Sequence, residues 1–156
     1  MERMNLGLAG SCGTPQPRYS RYSVIFISCG MHSHSCMKPW YGQGVAQCIV
    51  AEYLLKYYPY EDFVVYEIGA GNGTLALNIL DYIRDLWPWV YERTRYNIIE
   101  ISGSLAKLQE KKLKDHPCVS ITNKSIFHWD RREDSPCMFI AMEVIVSELS
   151  ICQYGM

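Results

Sequence analysis

The chain has 156 residues, a length that suits one domain burying roughly 68–70% of its unfolded surface. Its 15 basic and 16 acidic side chains leave a formal charge of −1, so no global field recruits nucleic acid or an anionic membrane. Seven cysteines with no CxxC pair read as free thiols of a reducing compartment rather than a disulfide framework, and no apolar run approaches the roughly 20 residues of a membrane helix.

Residues 1–35 scatter Gly, Ser, Pro and Cys without sustained periodicity. Arg3, Arg18 and Arg21 against the single acid Glu2 bear a faint likeness to a transit peptide, but no Arg-bearing amphipathic helix accompanies them. His32, His34 and Cys36 alternate in a Ser-rich stretch. That pattern lacks zinc-site spacing and a second ligand pair, so a loop reading is favoured over a metal site.

Order begins at Lys38. The stretch KPWYGQG, with Gly42 and Gly44, predicts a loop. A helix then carries Val45, Ile49 and Tyr53 on one face with Ala46, Val50, Leu54 and Tyr57, and Pro59 stops it. Its tyrosines are expected to pack in the core with their hydroxyls at the rim.

Residues 62–84, DFVVYEIGAGNGTLALNILDYIR, are the centre of the chain. Phe63, Val64, Val65, Tyr66 and Ile68 form the nearly continuous apolar run of a strand buried on both faces. Gly69, Gly71 and Gly73 follow at alternate positions, where glycine permits positive φ and close approach of a ligand. Asn72 or Thr74 can cap the next helix, with Leu75, Ile79, Leu80 and Ile83 inward. This is a nucleotide-type strand, turn and helix.

Residues 85–95 predict a loop holding Trp87, Pro88 and Trp89, and YNIIEIS predicts a second buried strand. Ser102 can cap the helix GSLAKLQEKKLKD, with Leu105, Leu108 and Leu113 inward and four lysines solvated. Residues 118–122 are a short third strand. A polar loop with Ser125, Ile126 and Trp129 precedes a fourth, CMFIAMEVI. The alternation predicts an α/β fold with about four parallel strands, divided as a poorly defined segment 1–35, a core 36–146 and a tail 147–156.

Two cofactor classes use such a turn. A dinucleotide fingerprint would need glycine where Thr74 stands. Glu67, just before the turn, disfavours a pyrophosphate and suits S-adenosyl-L-methionine, which carries an ammonium and a sulfonium. Glu100, at the tip of the second strand, can accept hydrogen bonds from both ribose hydroxyls of either cofactor. Ser125 and Ile126 would lie where an adenine ring rests, and Glu143 closes the fourth strand facing the same crevice.

With these residues in place the chain resembles the MidA-like methyltransferases, whose mitochondrial members are protein arginine methyltransferases that assist assembly of respiratory complex I. The resemblance spans about residues 38–144, in WYGQGVAQCIVAEYLLKYYPYEDFVVYEIGAGNGTLALNILDYI, YNIIEISGSLAKLQ, NKSIFHWD and CMFIAMEVI. It implies a Rossmann-like class I methyltransferase fold, S-adenosyl-L-methionine as donor, and symmetric dimethylation of an arginine on a complex I subunit in the mitochondrion. By position, Gly69, Ala70, Gly71 and Gly73 would form the donor loop over Glu67, Glu100 would hold the ribose, and WYGQG would cover the cofactor. Glu143 would be the carboxylate facing the acceptor guanidinium.

The sequence departs from the family at both ends. Val146 and Ser147 stand where an Asp-Asn pair is expected, and no long C-terminal half follows. The fourth strand is therefore expected to be an open apolar edge, leaving the chain poorly stable, weak in donor binding and of little activity. The alternatives are a non-catalytic interaction module pairing through that edge and, third, an NAD-binding oxidoreductase. Without a clear presequence, a cytoplasmic location stays open beside the mitochondrial one.

Overall fold

The computed structural model describes residues 22–26, 39–129, 133 and 135–141. Its centre is a parallel sheet in which β1 (Tyr22–Phe26), β2 (Phe63–Ile68), β3 (Thr94–Ile99), β4 (Val119–Thr122) and β5 (Cys137–Ala141) run in the order β1-β5-β2-β3-β4. Strand β2 is central, Phe63 pairing with Thr94 and Val64 with Cys137, and the cores packed on both sheet faces bury it along most of its length.

The fifth strand departs from expectation. β1 comes from the segment without periodicity and lies parallel to β5 from Tyr22↔Cys137 to Phe26↔Ala141. The outer side of β5 is therefore paired, and the open edge expected there is absent. A strand made of Tyr, Ser, Val, Ile and Phe has the β-branched and aromatic content for this role. Its five residues are too few for periodicity to announce it.

One sheet face carries the main core. Helices α1 (Pro39–Lys56) and α2 (Thr74–Leu86) place Val45, Ile49, Val50, Ile79, Leu80 and Ile83 against Phe63, Val65, Tyr96 and Ile98. The other face holds a smaller cluster of Val64, Tyr66, Ile99 and Cys137, packed by Ile126, Trp129 and Phe139. Odd and even residues of β2 thus point to different cores, as the period of two requires. Tyr53 is buried, and its hydroxyl donates to the Glu61 carbonyl at 2.6 Å.

Several boundaries moved. Of the predicted KPWYGQG loop, residues 39–44 are the first turn and a half of α1. Pro39 suits the first helical position, where its fixed φ fits and no N–H is needed. Gly42 stays helical because α1 crosses α2 closely there, and a Cβ would lie 2.6 Å from Asn78 Cβ. The predicted loop at residues 85–95 contains a single-turn helix, α3 (Pro88–Tyr91), which buries Val90 completely. In α4 (Gly103–Lys112) Leu108 is 43% exposed, while Ala106 and Gln109 are the buried residues.

Below this layer His116 is clasped between Tyr91, whose hydroxyl lies 2.7 Å from Nδ1, and Asp81, 3.3 Å from Nε2. Burial holds the imidazole below its usual pKa despite that carboxylate. The clasp ties α2, α3 and the entry to β4 together at the end of the sheet away from the glycine turn.

The α1/α2 crossing gives a paired test. Gly42→Ala should lower unfolding free energy in urea by about 1–3 kcal/mol, the range for overpacking. Gly44→Ala, where a Cβ meets nothing within 4 Å, should raise it by roughly 0.5–1 kcal/mol. Equal effects would refute a close approach at Gly42.

Candidate functional site

The carboxyl ends of β2, β3 and β4 open on one crevice, where a parallel sheet presents its loops to ligands. After β2 the chain turns through Gly69, Gly71 and Gly73, at φ 67°, 57° and 73°. All three lie in the left-handed region that side chains with a Cβ avoid. The turn is pinned at its base, where Gly69 N donates to Ile99 O at 2.9 Å, and across itself, where Gly73 N donates to Ala70 O at 2.9 Å.

Helix α2 starts directly from the turn. Gly73 occupies the cap position without a capping side chain. Asn72 Oδ1 instead accepts from Thr74 N at 3.1 Å and Thr74 Oγ1 at 2.7 Å. Lys112 Nζ donates to Thr74 Oγ1 at 2.9 Å, bringing a cation from α4 to the same helix start.

Two acids lie beside the turn. Glu67 is 2% exposed and Glu100 3%, and among the described residues neither forms an ion pair. Glu67 accepts from Tyr96 Oη at 2.8 Å. Burial pushes the Glu67 carboxyl up to about 7, and the charge of Glu100 adds to that, against the Tyr96 hydrogen bond. Burial, and after it the charge and hydrogen bond of Glu67, raise Tyr96 well above its usual value.

Glu100 is fixed through both oxygens. Oε1 accepts from Ser102 N at 3.0 Å and Oε2 from Gln109 Nε2 at 3.0 Å. Asn123, just past β4, donates to the carbonyls of Glu100 and Ile101 at 2.7 and 3.0 Å. Buried carboxylates without cations favour a ligand that brings positive charge and hydroxyl donors.

The glycine turn leaves room for such a ligand. A Cβ on Gly71 would meet nothing within 4 Å, so the backbone there faces open space. Gly73 differs, since its Cβ would press on Gln109 Cγ at 3.3 Å. The first position faces the crevice and the second makes space for α4.

The sequence-predicted site residues are therefore brought together in part. Glu67, Gly69, Ala70, Gly71, Gly73 and Glu100 form one crevice wall. Ser125 caps the short turn of helix at Ile126–His128, accepting from Phe127 N at 3.3 Å. Ile126 packs on the smaller core beside Ile68, Trp129 and Phe139. Glu143 lies outside the described residues, as does the tail at 147–156.

Sequence reasoning missed Gln109, Tyr96 and Asn123. Gln109 had a legible signal, because Leu105, Gln109 and Leu113 recur every four residues and a polar residue within an inward stripe marks a buried hydrogen bond. A cleft of about 370 Å³ elsewhere, between α4 and β4 and lined by Leu113, Lys114 and Val119 among others, contains none of the crevice residues.

Comparisons with known proteins bear on the family and the fold. The sequence profile of the family described as "Putative S-adenosyl-L-methionine-dependent methyltransferase" matches residues 45–147. The chain is 29% identical over 115 residues to the protein arginine methyltransferase NDUFAF7 homolog, mitochondrial, of Schizosaccharomyces pombe, a match covering 69% of this chain and 24% of that protein. It thus spans about a quarter of the curated relative's length.

Among solved structures, a Burkholderia thailandensis protein bound to S-adenosyl-homocysteine superposes with a TM-score of 0.53 at 23% identity, over 69% of this chain and 26% of that one. A second Burkholderia thailandensis structure gives 0.52 at 22% identity, over 74% and 28%. These likenesses establish the fold as the Rossmann-like class I methyltransferase type. The predicted fold class stands, with five parallel strands among the described residues in place of about four.

Proposed function

The chain belongs to that family of S-adenosyl-L-methionine-dependent methyltransferases, and on this premise we propose that its crevice is the donor site of a protein arginine methyltransferase. The observation that carries this is the pair of buried, cation-free acids, Glu67 and Glu100, flanking a turn of three left-handed glycines. S-adenosyl-L-methionine would supply the activated methyl group. Glu67 would balance its positive charge, Glu100 would take the ribose hydroxyls, and the Gly69–Gly73 turn would let its backbone lie against the ligand.

Ser125 and Ile126 would border the adenine side. The acceptor half is the finer part of the proposal: an arginine of a protein substrate, symmetrically dimethylated, on a complex I subunit in the mitochondrion. Glu143 would be the carboxylate that holds the guanidinium. That acceptor reading draws on the family resemblance and on the identity of the fission-yeast relative. That relative is a mitochondrial protein, which favours the mitochondrion over the cytoplasm.

The alternative is an inactive interaction module or remnant; the route suggested for it, pairing through an open edge at β5, is taken by β1, and absence of donor binding would favour it. NAD remains the competing ligand for a glycine turn, disfavoured by Glu67 and by Thr74 in place of a third fingerprint glycine. Calorimetric titration of the full chain separates them. Micromolar binding of S-adenosyl-L-methionine and S-adenosyl-homocysteine without NAD binding is expected, together with transfer of labelled methyl to protein arginine. Binding of NAD alone would overturn the donor assignment, and donor binding with label on another residue type would overturn the arginine assignment alone.

A further inference from the structure

Helix α4 sends one side chain, Gln109, between the two halves of the crevice wall. It is fully buried, and its single amide nitrogen donates both hydrogens: one to Gly71 O at 2.7 Å and one to Glu100 Oε2 at 3.0 Å. Its stem packs on Gly73, the position where a Cβ would come within 3.3 Å of Gln109 Cγ. Its Oε1 is buried with no hydrogen-bond partner.

The orphaned oxygen is informative. Rotating the amide by half a turn would aim Oε1 at a carbonyl and a carboxylate, both acceptors, so the chemistry of its neighbours fixes the orientation seen. Leaving a buried acceptor unsatisfied is unfavourable. The fold tolerates it where the nitrogen holds the glycine turn and the acid in one register. With Oε1 taken by Ser102 N and Oε2 by Gln109, the Glu100 carboxylate cannot rotate, and its remaining lone pairs keep one direction.

We infer that Gln109 is a positioning residue for ligand binding: it locks the Glu100 carboxylate to the Gly71 peptide so that the acid meets the ribose hydroxyls without reorganisation. This rests on the donor-site reading above. Pre-set orientation of an acceptor lowers the ordering cost at the moment of binding. Gln109 acts through two partners, the Gly71 carbonyl and Glu100, and the part of its effect that depends on the ribose passes through Glu100.

The test is a double-mutant cycle by calorimetry on the full chain, with S-adenosyl-homocysteine as probe. Gln109→Met keeps length and volume but donates nothing, and should weaken binding roughly 10- to 100-fold, the range for a hydrogen bond to a charged group. In a Glu100→Ala background the same change should cost clearly less, the remainder reporting the bond to Gly71 O. The 2′-deoxyribose analogue of the probe, already weaker on the unsubstituted chain, should lose much less on Gln109→Met than the probe does.

A second variant covers failure of the methionine chain to fold. Gln109→Glu can donate one hydrogen bond only when protonated, so its affinity relative to the unsubstituted chain should recover as pH falls from about 8 to 5.5. Equal losses in both backgrounds and on both ligands, or a flat ratio for Gln109→Glu, would mean that Gln109 only packs the turn. If the unsubstituted chain binds no S-adenosyl-homocysteine, the donor-site reading itself falls and takes this inference with it.

Discussion

Gly71→Val is expected to weaken S-adenosyl-L-methionine binding by at least about 100-fold while leaving the chain folded. Two costs combine. At φ 57° a residue with a Cβ pays about 1–2 kcal/mol to adopt the left-handed region, and a β-branched one more. Left there, the valine would fill the open face of the turn, since no protein atom lies within 4 Å of the new Cβ, and so take the volume proposed for the ligand. If the turn relaxes instead, the Gly71 carbonyl swings away from Gln109. Either way binding suffers more than folding. A strain of about 1–2 kcal/mol corresponds to a Tm loss of only a few degrees in a chain of this size. Calorimetry beside thermal melting checks both halves, and unaltered affinity in a folded Gly71→Val chain would show that the crevice is not where the donor binds.

Glu67→Gln should separate stability from function in the opposite sense. The carboxyl titrates near 4.5 when unfolded and at about 7 in the folded chain. Between those values the folded state holds a proton that the unfolded state has released. Stability must therefore fall as pH rises from about 4.5 to 7 and stay lowered above, by on the order of 3 kcal/mol from this group. Glutamine cannot ionise and can still accept from Tyr96 through its oxygen. Urea unfolding of Glu67→Gln should thus match the unsubstituted chain near pH 4 and exceed it in stability near pH 8.

Binding should respond inversely. A cationic ligand favours ionised Glu67, so affinity of the unsubstituted chain should rise with pH through about 7, whereas the glutamine variant should bind roughly tenfold or more weakly near pH 8 with that rise removed. A glutamine variant less stable than the parent at pH 8 would refute the assignment of a strained, buried acid. The coupling has a plain physical content: the acid that a ligand needs is one that the empty fold is better without.

Most of the sheet was legible because its strands obey simple rules. β2 and β3 read as apolar runs, and the glycine turn with Glu67 and Glu100 is local in sequence. What escaped was decided between elements. Gly42 reads as a loop former until Asn78 is known to lie against it. Leu108 fits an amphipathic stripe, yet α4 is rotated so that Ala106 and Gln109 face inward, Gln109 meeting the glycine turn. β1 carries no periodic signal, and its place follows from the free side of β5, more than a hundred residues further on. The hydrogen bonds of Tyr96 and Asn123 likewise join strands whose adjacency no single segment encodes.

The placement of β1 beside β5 also bears on how the chain assembles during synthesis. Tyr22 meets Cys137 about 115 residues later, so the earliest strand waits without its neighbour while β2, β3 and β4 are made. β5 must then enter between two strands already present and zip to both at once. Contacts of such span are slow to close, because the entropy of the loop is spent before any pairing rewards it. Until that insertion, the facing flanks of β1 and β2 are unpaired templates for other chains, and the last of the described strands to leave the ribosome is the one that covers them.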